Sequence, residues 1–211
     1  MFAVMFEVQP RPDRWDTYLG FAGALRPELL KIDGFIDNVR YGSKRREGWL
    51  LSLSTWRDEK ALVRWRTQGL HHQVQGKGRT EVFRDYRLRV GQVTAETPGQ
   101  RLDETETGDA KLLSIVEMTG PPDPSPDPEA IGRRLGLNET ADGLVNWDVF
   151  EAILTPGALL LLLAWRDAGS AEAGEHSIPA GARHRRIRVI RDYGMFDRRE
   201  APQYYPDAPR R

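Results

Sequence analysis

The sequence predicts an α+β chain built twice, as two tandem ferredoxin-like units of order β-α-β-β-α-β with the second copy degenerate. Three internal matches predict this. Leu51 to Asp58 (LSLSTWRD) returns as Leu160 to Asp167 (LLLLAWRD) at an offset of 109 residues. Arg84-Asp85-Tyr86 returns as Arg191-Asp192-Tyr193 at 107, and the opening stretch Ala3 to Val8, carrying Glu7, is answered at 110 by Leu112 to Met118, carrying Glu117. Matches in the same order at nearly one spacing mark a duplication. Thr94 to Asp109 is acidic and nearly free of apolar side chains, so it buries too little to offset its ordering entropy and reads as a linker. The expected layout is 1–93, an acidic linker 94–109, a second unit 110–196 and a proline-rich tail 197–211.

In the first copy Phe2 to Val8 reads as a strand ended by Pro10 and Pro12. From Asp13, a candidate cap, Trp15, Tyr18, Leu19, Ala22, Leu25 and Leu29 fall at helical spacing, with Pro27 set to kink the last turn and Gly34 to stop the helix. Phe35 to Tyr41 and Trp49 to Trp56 read as strands around the glycine-bounded loop 42–48. Asp58 caps a second helix through Ala61, Leu62 and Trp65, a turn at Gly69 leads to a short helix from His71, and Val82 to Val93 closes the unit. On that last strand Tyr86, Leu88 and Val90 face one way, Arg87 and Arg89 the other.

The second copy follows the same order with losses. Five prolines stiffen Gly120 to Pro128, a short helix spans Glu129 to Leu135, and Leu144 to Leu154 with Ala158 to Trp165 forms the central hairpin. The segment after Asp167 is rich in Ala and Gly, so the second helix is expected shortened or gone. Copy two is expected to keep its sheet and shed its pocket-forming helices.

Composition removes several function classes. With no cysteine, disulfide scaffolds, cysteine zinc sites, iron–sulfur clusters and thiolate haem ligation drop out. Basic and acidic residues balance at 31 each. The first 93 residues carry 17 against 11, a weak footprint for nucleic acid. The longest apolar run, Ala158 to Trp165, is eight residues against the roughly 20 of a membrane span. The N-terminus lacks a basic leader, so a soluble, cytoplasmic protein is expected. No phosphate loop, dinucleotide fingerprint, metal-binding His pattern or serine triad occurs.

Several side chains are candidate chemistry. Trp65 and His72 lie seven apart and would share a face of a continuous helix, with Gly69 leaving space for a planar ligand. His71 is about 100° away on such a helix, so at most one histidine points inward. The plainer alternative has Trp65 filling the core and His72 satisfying a local turn. Asn38 and Arg40 share one strand face and could clamp an oxyanion, unless both are solvated edge residues. Trp56 and Trp65 would supply aromatic walls, with His71 and Tyr86 also among the substrate-contacting residues. Glu7 and Glu117 read as polar contacts inside a barrel, with a general base as the lesser alternative.

Trp56-x-Asp58-x-x-x-Leu62-x-x-Trp65, His72-x-x-x-Gly76-x-Gly78-Arg79 and Phe83-x-x-Tyr86-x-x-x-Val90, preceded by Gly34-Phe35, resemble the antibiotic biosynthesis monooxygenase family. The likeness covers Phe2 to Val93 well and 110–196 faintly. It implies an α/β barrel in which two ferredoxin-like units pack sheet to sheet with helices outside, here closed within one chain. It further implies a monooxygenase acting on an electron-rich aromatic or quinol-type substrate without a dedicated redox cofactor, with His72 as base and Asn38 and Arg40 as anion clamp. Haem binding or degradation is an alternative, although the axial histidine of haem-degrading relatives falls here at Gln75. A non-catalytic module is another: the tail from Ala201 could reach a neighbouring chain, and the family resemblance is compatible with a homo-oligomer.

Overall fold

The computed structural model describes residues 1–96, 100–101, 112–121, 127–206 and 208. Nine strands are β1 (Phe2–Pro10), β2 (Phe35–Ser43), β3 (Leu50–Trp56), β4 (Phe83–Glu96), β5 (Gln100–Arg101), β6 (Leu112–Thr119), β7 (Leu144–Ala152), β8 (Ala158–Trp165) and β9 (Arg183–Gly194). The α-helices among the described residues are α1 (Trp15–Leu30), α2 (Glu59–Thr67), α3 (Gly69–Lys77), α4 (Pro128–Arg134) and α5 (Ala168–Glu175). The sheet order β1-β3-β2-β7-β8-β6-β9-β4, with β1 also paired to β4, closes an eight-stranded antiparallel barrel. Each half contributes four strands. The halves join along a short seam, Tyr41–Ser43 against Phe150–Ala152, and a long one between β4 and β9. Closure within one chain pairs the edges that a lone unit would expose. β4 extends through Glu96 and pairs with β5, so Thr94 to Glu96 and Gln100–Arg101, assigned to the linker, lie in the sheet; residues 97–99 and 102–109 fall outside the described residues.

The duplication is visible in individual bonds. Asp58 accepts from Ala61 N at 2.8 Å and Asp167 from Ser170 N at 2.8 Å, so each begins its helix. Gly34 (φ +90°) and Gly143 (φ +75°) stand in the left-handed region, and their carbonyls accept from Arg57 N and Arg166 N, both at 2.8 Å. Inside the barrel pack Ala3, Met5, Leu51, Leu53, Leu113, Ile115, Leu160 and Leu162. Glu7 pairs with Arg89 and Arg46, and Glu117 with Arg185, all on this inner side. Burial pushes the Glu7 carboxyl up, but the two guanidiniums outweigh it and hold it below the usual range. Both glutamates are therefore interior contacts.

Two local expectations need correction. Asp13 caps nothing: Pro12–Arg14 form a 3-10 turn, and α1 starts at Trp15 without a side-chain cap. The proline-rich tail does not extend away as a free arm, because its described residues fold back over the first half. No helix among the described residues is long and apolar enough to cross a membrane.

Candidate active site

A cavity of about 200 Å³ lies between the outer face of the first half-sheet and helices α1, α2 and α3. Its floor includes Val4 and Phe6 on β1, Asn38 and Arg40 on β2, Ser52, Ser54 and Trp56 on β3, and Tyr86 and Leu88 on β4. Period-two alternation puts these residues outward while their neighbours fill the barrel. Trp56, 1% exposed, anchors the floor by donating its indole N–H to Ser54 Oγ at 2.9 Å. Ser52 and Ser54 were not singled out in the sequence; their small volume is what leaves space above the sheet.

The helical roof is broken at Gln68, whose ψ of 132° ends α2 and whose side chain caps α3 by accepting from His71 N at 2.7 Å. The break resets the helical phase, so the expected shared face of Trp65 and His72 does not form. Instead Trp65 stacks on His71, centroids 4.1 Å apart at 14°. His71 Nδ1–H donates to Trp65 O at 2.9 Å, and Nε2 faces the Gln75 amide at 3.5 Å. Burial pushes the His71 pKa down to about 4, so the ring is neutral at pH 7. His72 is exposed and outside the cavity lining, and its Nδ1 lies 3.0 Å from the Tyr205 hydroxyl. Thus Asn38, Arg40, Trp56, Trp65, His71 and Tyr86 line one cavity, and His72 does not.

Among the described residues the lining contains six arginines and neither aspartate nor glutamate. Arg79 and Arg198 both donate to the Tyr86 hydroxyl at 2.6 Å. Asn38 spends its amide N–H groups on Ser52 Oγ at 2.9 Å and Leu53 O at 3.0 Å, so the expected Asn38–Arg40 clamp rests on Arg40 as donor. Arg40 lies beside the Tyr18 hydroxyl, and its buried Nε has no hydrogen-bond partner. Arg66 Nε is in the same condition. A buried donor without a partner carries a desolvation penalty. Arg191, Tyr193, Arg198, Pro202, Gln203 and Tyr205 complete the lining, so the second half and tail help build a pocket expected from the first half alone.

Haem does not fit this arrangement. The cavity is smaller than the roughly 300–1,000 Å³ of ordinary ligand pockets. Both His71 ring nitrogens are engaged, and His72 lies outside the lining. Among the described residues, no group of three or more His, Asp or Glu side chains is placed to hold a metal ion.

The sequence profile of antibiotic biosynthesis monooxygenase matches residues 1–77. The protein described as jasmonate monooxygenase ABM from Pyricularia oryzae is 50% identical over 219 residues, covering 99% of this chain and all of that one. Among solved structures, an aldoxime dehydratase complexed with butyraldoxime has a TM-score of 0.57 at 12% identity, covering 90% of this chain and 79% of its own, a likeness of fold alone. An anthrone oxidase-like protein covers 96% of each chain at 12% identity with a TM-score of 0.37. With half its residues shared across its whole length and the profile matched through the cavity-forming segment, the chain belongs to the antibiotic biosynthesis monooxygenase family.

Proposed function

We propose that the protein is a monooxygenase of small, mostly apolar carboxylic acids of the jasmonate kind, bound in the first-half cavity with the carboxylate on Arg40. The observation that carries this is a partly open, mostly apolar chamber lined by the Arg40 guanidinium, with no carboxylate among its described lining residues. The full-length relative, named for jasmonate, a cyclopentanone carboxylic acid, supports the same chemistry. Phe6, Leu25, Leu29, Leu62 and Leu88 would bury the hydrocarbon, Trp65 and His71 would roof it, and Arg40 would fix its orientation. The neutral His71, low in pKa, makes a hydrogen-bonding wall in this reading and a poor base.

The aromatic floor of Trp56 and Tyr86 favours a second reading, an electron-rich phenol or quinol. Its anion would rest on Arg40 and itself reduce oxygen, so that no dedicated redox cofactor is required.

Incubation with jasmonic acid or a hydroquinone under labelled dioxygen, with and without an added reductant, tests both. The expected result is one labelled oxygen atom in the jasmonate product. Arg40→Met should raise KM about 10- to 100-fold, the worth of a charge-assisted hydrogen bond of about 1.5–3 kcal/mol. Label appearing only in the hydroquinone product selects the second reading. Label in neither, with KM-like binding indifferent to Arg40→Met, overturns both.

A further inference from the structure

The side of the cavity facing α3 is closed by chain that follows the second half. Beyond β9, Met195 N donates to Tyr86 O at 3.1 Å, and residues 198–206 turn back across the gap between α2 and α3. Gln203 Nε2 donates to Arg66 O at 3.1 Å, and Tyr205 OH donates to Gln75 Oε1 at 2.6 Å. The Tyr205 ring stacks on His72 with centroids 5.2 Å apart, and the Arg79 and Arg198 guanidiniums lie 5.5 and 5.6 Å from it.

Every bond just named between residues 202–206 and the body involves a side chain. Among the described residues no backbone–backbone hydrogen bond ties that segment to the barrel or helices. A wall held this way opens more readily than a strand or helix, and such segments commonly act as lids. Tyr205 is only half-buried, while Ala201 packs against the first-half core cluster and Ala208 is buried in it, so the segment is held at both ends with Tyr205 between them.

We propose that residues 198–206 are the specificity-determining wall of the pocket: Tyr205 sets the longest substrate accepted, and substrate enters when Tyr205 releases Gln75 and His72. This rests on the carboxylic-acid reading above. It also assigns the exposed His72 a place, as a latch for the wall. Pro202 on the same segment restricts its backbone, which favours movement as a unit.

The test titrates full-length protein with hexanoate, octanoate, decanoate, dodecanoate and tetradecanoate, followed by quenching of tryptophan fluorescence, since Trp56 and Trp65 line the cavity. Wild type should show a sharp length limit. Tyr205→Ala should move that limit to longer chains, binding the first excluded acid about tenfold or more tighter while leaving shorter acids within about threefold. Tyr205→Phe keeps the ring and loses both hydrogen bonds, so it should keep the limit and speed ligand exchange in stopped flow. Thermal melts of each variant establish that it is folded. An identical limit in wild type and Tyr205→Ala overturns the wall while leaving the carboxylate reading standing. A wild type that responds to none of the acids overturns that reading, and the proposal with it.

Discussion

In the first half the outer face of the sheet presents Asn38, Arg40, Ser52 and Ser54 to the helices; at the same four places, 109 residues on, the second half presents Trp147, Val149, Leu161 and Leu163. Small and polar side chains leave a chamber in one half, and large apolar ones fill the equivalent space in the other. Val149 and Leu161 are fully buried and Leu163 is 3% exposed, packed with Ile131, Leu135 and Trp165. Helix α5 lies so close that a Cβ on Gly174 would meet the Trp165 ring at 2.4 Å. The helices differ accordingly: α1 has 16 residues against 7 in α4, and α2 plus α3 are answered by α5 alone. The solid half gains dispersion contacts that a cavity forgoes. Binding is thereby separated from stability, since a sheet shared through β4–β9 lets one half carry the hole while the other supplies packing.

The indole bonds show how to exchange the two designs. Trp56 Nε1 donates to Ser54 Oγ on β3, whereas Trp165 Nε1 donates to Ser114 Oγ on β6 at 3.0 Å. Ser114 corresponds to Val4. Val4→Ser with Ser54→Leu therefore copies the solid wall into the first half and keeps an indole acceptor. It should reduce ligand affinity about 100-fold or more, with a melting temperature equal to or above wild type. Ser54→Leu alone strands a buried donor and should cost about 1–3 kcal/mol. In the opposite direction, Leu163→Ala should cost about 2–5 kcal/mol, read by urea unfolding, and leave binding intact. Unchanged binding in the Val4→Ser/Ser54→Leu variant would show that the serines do not make the chamber.

The repeat was legible because the residues that set the fold are the ones both copies retain: an indole in the floor, an aspartate starting a helix, the Arg-Asp-Tyr at the β4–β9 seam. There Asp192 of the second copy's motif pairs with Arg87 at 2.6 Å, while Tyr86 and Tyr193 reach the cavity. The strand alternation that placed Asn38 and Arg40 together was equally local. The break between α2 and α3 was legible as a turn at Gly69, one residue from where it falls; the phase of the new helix was not. Neither Gly nor Pro, Gln68 ends α2 by capping the next helix, and that shifted the inward histidine from His72 to His71. The tail was opaque for a different reason: its contacts with the first half are side-chain bonds across more than 100 residues, such as Gln203 to Arg66, which no local pattern encodes. Ser52 and Ser54 could have been found by aligning the copies position by position and asking where small polar residues face large apolar ones.

Titration offers another contrast. His71 in the open half is held at a pKa of about 4 by burial, below the unfolded value near 6.5. Between those values the unfolded chain binds more protons, so stability falls as pH drops from about 6.5 toward 4, by up to about 3 kcal/mol from this residue. His184 in the solid half is also lowered, chiefly by burial, with Glu175 opposing, and contributes loss of the same sign. His71→Phe keeps a ring against Trp65 and should flatten the acid limb of unfolding free energy against pH. A saturating ligand should alter the His71 part of that limb alone, since His71 lines the cavity. An acid limb unchanged in His71→Phe would place the titration elsewhere.

The two capping aspartates give the smallest effect and the finest comparison. Asp58 and Asp167 make the same bond at the same length, so Asp58→Ala and Asp167→Ala should each lower the melting temperature by about 2–4 °C. Their functional consequences should diverge. Helix α2 carries Leu62, Trp65 and Arg66 over the chamber, and fraying its first turn loosens that roof. Helix α5 covers only packed side chains. Asp58→Ala should therefore weaken ligand binding several-fold and Asp167→Ala should leave it unchanged, both read by tryptophan quenching at one temperature well below either melt. Asp58→Asn, which retains a capping oxygen but loses the ion pair with Arg57, should recover most of the binding. If Asp167→Ala weakens binding as much as Asp58→Ala, ligand affinity depends on the whole barrel rather than on the half that holds the chamber.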